Sequence, residues 1–298
     1  MTDPRNSHVV VVGDALIDEI RDGEGSREFV GGAALNVAVG LTRLGVPATL
    51  VAMVGDDPDG DSIRAFLARF GVRLIATEAP RGTARAMSVR EGGEPHYEFN
   101  DASVNRAIVF DDAAREAIAG APLVVVSCYP FDRDERTDAL LDAVDDPEHR
   151  LLVDPNPRPG MMSDVAAFVR NLDRIAPRVR LIKIGDEDAA LLYGVPLEQA
   201  AARLRRDGAG AVLATAGRRG ADLVTAEGTF HADIADLAGP VVDTMGAGDA
   251  TLAALTDALL RADRQGAGDS LYWEGALQNA MIIAGATCRA EGALLQLP

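Results

Sequence analysis

The chain is short of the residues from which several common chemistries are built. It has two cysteines, Cys128 and Cys288, in 298 residues, and four histidines, His8, His96, His149 and His231. No C-x-x-C or H-E-x-x-H spacing occurs, which disfavours a structural zinc site or a zincin centre. One cysteine pair cannot make a disulfide framework, so a reduced, cytoplasmic protein is expected. No apolar run approaches the ~18 residues that cross a bilayer, and no apolar core precedes the run HVVVVG, so neither a membrane span nor a signal peptide is expected. Formal charge is −17. A nucleic-acid or anionic-lipid surface would have to be built against that background, and neither partner is expected.

Lysine is rarer still. Lys183, in LIKIG, is the only one among 29 basic residues. The G-x-x-x-x-G-K-[ST] loop, whose lysine must reach the β- and γ-phosphates, is therefore absent. H-R-D and D-F-G are absent too, which excludes the protein-kinase pattern. No G-x-G-x-x-G follows the first strand-like run, which argues against a dinucleotide-dependent oxidoreductase. Any phosphate handling is expected to rest on backbone N–H groups and arginine.

What is present is a regular alternation. HVVVVGD, PATLVAMVG, LVVVSCYP, RLLVDPN, RLIKIGD and AVLATAG are short apolar runs suited to buried parallel strands. Helical segments lie between them: AALNVAVGLTRLG, stopping at Gly45, then DGDSIRAFLARFG, DDAAREAIAG, RDERTDALLDAV and LEQAAARLRRDG. This pattern predicts an α/β fold with a mainly parallel sheet and helices on both faces. Residues 84–99 break it and read as a hairpin around Gly92-Gly93, either an edge extension or a lid. The last third is helical.

The most specific stretch is PVVDTMGAGDATLAAL, residues 240–255. It reads as a short strand, Asp243-Thr244, a tight turn with Gly246 and Gly248, and a helix start. Glycines before a helix admit close approach of a ligand, and the free amides and helix dipole attract anions. Asp249 in the first turn suits the dipole. It also suits a base that takes a proton from a hydroxyl nucleophile beside that anion. GAGD recurs at residues 266–269 without a preceding strand, and there it reads as a loop and N-cap.

D-T-M-G-A-G-D-A resembles the C-terminal signature of the ribokinase-like sugar kinases, the pfkB family. F-V-G-G-A-A-L-N-V-A-V-G-L-T-R-L-G, residues 29–45, resembles the N-terminal signature. G-D-A-L-I-D, residues 13–18, and T-A-G-R-R-G-A, residues 215–221, resemble the first strand end and the nucleotide loop. The resemblance covers nearly the whole chain. It implies a three-layer α/β/α domain over residues 1–298, with a mainly parallel central sheet and a small β lid from about 84–99 and part of about 15–30.

The resemblance also implies roles. Asp249 matches the base, and Gly246, Ala247 and Gly248 match the anion hole for the transferring phosphoryl group. Asp14, Asp18, Gly31, Gly32 and Asn36 match sugar-binding positions, although Asp14 and Asp18 also suit turn and cap chemistry. Thr215, Gly217 and Gly220 match the ATP side, Asn279 the adenine pocket, and Asp243 a monovalent-cation site. ATP, Mg²⁺ and K⁺ are the implied cofactors, and a homodimer through the lid is a further implication. The family's N-x-x-E motif, which organises Mg²⁺, has its counterpart in G-D-E-D, residues 185–188. There Gly185 stands for Asn, and Asp188 for Glu. C-R-A-E-G-A, residues 288–293, departs from the usual placing of its arginine.

G-D-A-L-I-D and D-P-N-P-R, residues 154–158, look most like the fructokinase branch. Arg158 is then expected near the sugar or the transferring phosphate, or else as a surface arginine. Phosphorylation of fructose to fructose 6-phosphate is the expected reaction. 2-Keto-3-deoxygluconate, ribose and nucleosides stay open, as does a non-catalytic sugar-binding regulator. An acid sugar would use Arg85 or Arg90, and a nucleoside Tyr97, Phe99 or Tyr129.

Overall fold

The computed structural model describes residues 8–22, 25–89, 96–144, 150–266 and 273–298. The first apolar run folds as β1 (Val9–Gly13), buried throughout. Strands β2 (Leu16–Asp22) and β3 (Gly25–Gly31) follow as an antiparallel pair. Helix α1 (Ala33–Arg43) stops where Gly45 turns left-handed, at φ +83°, as its place in the sequence predicts. Next come β4 (Ala48–Met53), α2 (Pro58–Arg69) and β5 (Arg73–Thr77), then β6 (Ala84–Val89) and β7 (His96–Phe99). The middle of the chain holds α3 (Asp101–Val104), α4 (Asp112–Ala119), β8 (Leu123–Ser127), α5 (Asp134–Ala143), β9 (Leu151–Asp154) and α6 (Val165–Ile175). Then follow β10 (Val179–Gly185), α7 (Asp186–Tyr193), α8 (Leu197–Arg206), β11 (Ala211–Thr215), β12 (Ala221–Val224) and β13 (Thr229–Ala232). Helices α9 (Ala247–Gln265) and α10 (Trp273–Thr287) close the chain.

Nine strands form one sheet in the order β13-β12-β11-β10-β9-β8-β1-β4-β5. It is parallel from β11 to β5, and β12 and β13 extend it antiparallel. Alternation along β1 assigns the layers. Val9 and Val11 pack with residues of α1, α2, α9 and α10. Val10 and Val12 pack with residues of α4 to α8 on the other face. The result is a three-layer α/β/α body.

The strand order reverses at β1, between β8 and β4. In open parallel sheets the crevice at the carboxyl ends beside such a reversal is where ligands bind. A second sheet, β3-β2-β6-β7, stands apart. Strands β6 and β7 pair antiparallel, with Ala86 opposite Phe99. Arg90 and the Gly92-Gly93 turn lie outside the described residues. Leu16, Ala84 and Ala86 of this sheet pack with Met53 and Ala102 of the body.

Candidate active site

The carboxyl ends of the parallel strands bring most of the expected acceptor residues together. Asp14 follows β1, and its Oδ1 accepts the Ala34 N–H at 3.0 Å, tying it to the first turn of α1. Gly32 is the N-cap of that helix. Asp18 stands on β2, and a Cβ on Gly31 would lie 2.2 Å from its Oδ2. Glycine at 31 is therefore what leaves room for the carboxylate. Burial raises the carboxyls of both acids, and Asp18, with the charge of Asp14 adding to desolvation, is pushed up to about 7. Arg158 is open to solvent on one side and electrostatically coupled to Asp14, Asp18 and Asp249.

The segment 240–246 corrects one expectation. It is not a strand: Val241 and Val242 are exposed, and the Val242 and Asp243 N–H groups donate to the Cys288 carbonyl. The sheet ends at β13, so the two valines have no strand to pair with. Asp243 makes an Asx-type turn, accepting Met245 N–H through Oδ1, while its Oδ2 accepts Gly292 N–H at 3.2 Å. Gly246 then adopts φ +72°, and a Cβ there would lie 1.9 Å from the Ala293 carbonyl oxygen. No L side chain fits at 246. Helix α9 starts at Ala247 with no side-chain cap, leaving its amide end to an incoming anion.

Asp249 is half-buried in the first turn of α9, and its Oδ2 accepts from Asn36 Nδ2 at 2.9 Å. Desolvation pushes its carboxyl up to about 7. Asp154 and Asp14 add to this, while Asn36 and Lys183 oppose it. A carboxylate poised near neutrality suits proton transfer. Asn36 Oδ1 is buried with no partner, an acceptor open to a ligand hydroxyl.

Lys183 was legible in the sequence only as the lysine that no phosphate loop uses. It is buried on β10, with Nζ 2.8 Å from Oδ2 of the fully buried Asp154. A Cβ on Gly248 would stand 3.1 Å from both its Cε and its Nζ, so this cation lies directly beneath the turn that opens α9. A charge between two isoleucines in the buried stretch of the strand was the signal available. Asp188 spends Oδ2 on the Gly185 N–H at 2.8 Å, capping α7. Asp154 Oδ1 is buried and unpartnered, and Asp154 is coupled to both Asp188 and Arg158. Cys128, with φ +51°, bonds Asp14, and burial pushes its thiol far up.

Thr215 ends β11 opposite Gly185. Gly217 opens the following 3₁₀ turn, Gly220 leads into β12, and Asn279 lies exposed on α10. No hydrogen bond among the described residues joins these four to the Asp249 cluster. Two other expectations are corrected. Tyr129 offers no face to a nucleoside: it is fully buried, packs against Phe131 and donates to the Arg136 carbonyl. Arg85 offers no free charge to an acid sugar, because Glu19, Glu28 and Asp59 all pair with it. Gly266 ends α9 in the left-handed region, and residues 267–269, on which the N-cap reading of the second GAGD falls, lie outside the described residues. The side chain of Tyr97 also lies outside them, and Phe99 packs on the cluster between the two sheets.

Comparison with known proteins agrees with this geometry. The pfkB family carbohydrate kinase profile matches residues 6–298. A fructokinase from Salmonella typhimurium is 28% identical over 306 aligned positions, covering 98% of this chain and 97% of that protein. A fructokinase from Klebsiella pneumoniae is 31% identical over 260, covering 84% and 83%. The crystal structure of aminoimidazole riboside kinase from Salmonella enterica, complexed with aminoimidazole riboside and an ATP analog, superposes with a TM-score of 0.76 at 24% identity, covering 96% and 95%. The fold is thus the ribokinase-like one. The chain belongs to the pfkB family of carbohydrate kinases, and it is a sugar kinase that uses ATP.

Proposed function

We propose that the protein transfers the γ-phosphoryl group of ATP to a primary hydroxyl of D-fructose, giving fructose 6-phosphate. One observation carries the residue assignment: Asn36 holds the Asp249 carboxylate at the amide end of α9, with the acids Asp14 and Asp18 at the neighbouring strand ends. In this reading Asp249 takes the proton from the acceptor hydroxyl. The amides of Gly246, Ala247 and Gly248 meet the charge that develops on the phosphoryl oxygens. Lys183 adds a fixed positive charge below them.

Asp14, Asp18, Gly31, Gly32, Asn36 and Arg158 face the sugar, and carboxylates and amides can each take several hydroxyls at fixed spacing. Thr215, Gly217, Gly220 and Asn279 take the nucleotide. The orphaned Asp154 Oδ1 and the remaining oxygen of Asp188 fit hydrated Mg²⁺, which when bound neutralises triphosphate charge. Both Asp243 oxygens keep a lone pair beyond their backbone bonds, which fits K⁺. The sheet β3-β2-β6-β7 serves as the lid and as the face of a homodimer.

Two fructokinase relatives support fructose as the acceptor. A coupled ADP-release assay over fructose, ribose, 2-keto-3-deoxygluconate, adenosine and fructose 6-phosphate tests the reading. Fructose is expected to give the highest kcat/KM, and no turnover of any sugar would remove the assignment.

A further inference from the structure

Beyond the acceptor pocket, a cavity of about 200 Å³ is lined by Met53, Arg81, Arg106, Arg133 and Arg136, among others. A separate small space of about 20 Å³ is lined by Asp14, Cys128, Met53 and Arg106, and it shares Met53 and Arg106 with the cavity. Arg106 borders both.

The charges in this cavity are unbalanced. Arg106 is nine-tenths buried; its Nη1 donates only to the Ser103 and Met161 carbonyls, and its Nε has no partner. Arg136 Nε is likewise buried and unpartnered. Among the described residues, Arg106, Arg133 and Arg136 make no ion pair, although the chain carries 46 acids. Three acids near them in sequence bond elsewhere. Asp132 accepts from Ser163 N and Oγ, Asp134 from Asn171, and Asp138 from Arg174. Arg81, at the rim, pairs with Asp101. Arg133 is the N-cap of α5 and Arg136 lies in its first turn, with no side chain capping the helix. Cations at a helix N-terminus oppose the dipole, which here Asp134 and Glu135 of the same turn offset, and a buried guanidinium whose Nε lacks an acceptor and which has no ion-pair partner is costly. An anion in the cavity would answer all of these together.

We propose that this cavity is an oxyanion site, taking a phosphate or carboxylate group on Arg106, Arg133 and Arg136. The anion is carried either by the acceptor, at its end remote from the phosphorylated hydroxyl, or by a separate small molecule. In both cases Arg106, which is coupled electrostatically to Asp14, links the site to the acceptor pocket. The inference rests on the residues around the cavity and not on fructose being the acceptor.

The test is calorimetric titration of inorganic phosphate into the whole protein, with a non-hydrolysable ATP analogue saturating the anion turn. Saturable binding is expected, weakened at least tenfold in Arg133→Gln/Arg136→Gln. Those two positions are half-buried, and circular dichroism verifies that the double variant is folded. Arg106→Gln is a second variant, read only if it folds. No saturable binding, or binding unchanged in the folded double variant, overturns the proposal. Steady-state kinetics separate the two sources. If the acceptor carries the anion, the double variant loses tenfold or more in kcat/KM for fructose 6-phosphate or 2-keto-3-deoxygluconate and little for a neutral sugar. If the anion is separate, phosphate changes KM for the neutral sugar in the wild type and not in the double variant. Lack of activity on fructose would remove the fructose reading while leaving the phosphate titration intact.

Discussion

Asn36 Nδ2 donates to Asp249 Oδ2 at 2.9 Å across 213 residues of sequence. The bond joins the first turn of α1 to the first turn of α9, the two segments that carry the family signatures. It favours the charged form of a carboxyl that burial otherwise holds neutral. Replacing Asp249 by Asn keeps the shape and removes the proton acceptor. Asp249→Asn should lower kcat by roughly 10²–10⁴-fold, the usual contribution of a general base. ATP affinity by calorimetry should be nearly unchanged. Asp269→Asn, in the second GAGD, should do little, and equal losses from both would exclude Asp249 as the base.

The carboxyl of Asp249 lies near 7, and this has two pH consequences. With Asp249 as the proposed base, the carboxylate is the active form, so kcat/KM should rise with pH and level off above about 7. Asn36→Ala removes a contact that lowers this value, so the acidic limb should move to higher pH. Stability runs the other way. The unfolded carboxyl titrates near 3.8, so the folded protein holds this proton more tightly. The stabilisation is complete below about 4 and is lost as pH rises through about 7. Asp249→Asn should therefore melt higher than the wild type at pH 8 and alongside it at pH 4. A lower melting temperature at pH 8 would contradict the desolvated carboxyl.

Much of this was legible in the chain. The apolar runs gave the parallel strands because strands buried on both faces need no alternation, as β1 and β8 show. The glycine at 246 marked the turn before α9 because a left-handed conformation and the close approach of the Ala293 carbonyl leave no alternative there. What stayed hidden depends on partners distant in sequence. Val241-Val242 has strand composition, and only the finished sheet shows that no neighbouring strand receives it. Arg85 on β6 and Arg106 in the loop after α3 are the same residue type. Three carboxylates pair with the first and, among the described residues, none with the second, and no local pattern distinguishes them.

Lys183 and Asp154 form a buried ion pair, so single and double replacements should differ in kind. Lys183→Met strands the Asp154 charge and should cost about 3–5 kcal/mol in urea unfolding. Lys183→Met/Asp154→Leu removes both charges and should recover most of that stability. If Lys183 supports the transferring phosphoryl group or Asp154 holds hydrated Mg²⁺, the double variant stays slow in kcat despite refolding well. Recovered kcat in the double variant would exclude both roles and leave Lys183 only to neutralise Asp154.

The small sheet should matter to the sugar and not to the nucleotide. Replacing residues 86–98 by a short Gly-Ser linker keeps Phe99 and the contacts of Ala84 with the body. In a lid reading, KM for sugar rises far more than KM for ATP. Water then reaches the phosphoryl group, and ATP hydrolysis without sugar increases. Unchanged sugar kinetics would make these strands an edge extension.

The acceptor is the last expectation, and the two ends of the pocket pull it in different directions. At the Asp14 and Asp18 end, raised carboxyls favour a ligand rich in hydroxyls and bearing no charge of its own. A ketohexose places a primary hydroxyl at Asp249 while its other hydroxyls meet Asp14, Asp18 and Asn36. Sites built to bond hydroxyls reject analogues that lack them by up to about 10⁴–10⁵. Fructose should therefore exceed ribose in kcat/KM, and Asp18→Ala should reduce the ratio. In the neighbouring cavity, Arg106 and its neighbours favour a negative charge. A charged acceptor must reach past Asp14 to use them, and the small space that Asp14 and Arg106 line together has room for about one water molecule. That limited room favours the neutral sugar beside Asp14 and a separate anion in the cavity. If 2-keto-3-deoxygluconate or fructose 6-phosphate instead gives the higher kcat/KM, that space must widen when the acceptor binds. Arg106→Gln should then abolish the preference, whereas Arg85→Ala, at a guanidinium already held by three carboxylates, should leave it in place.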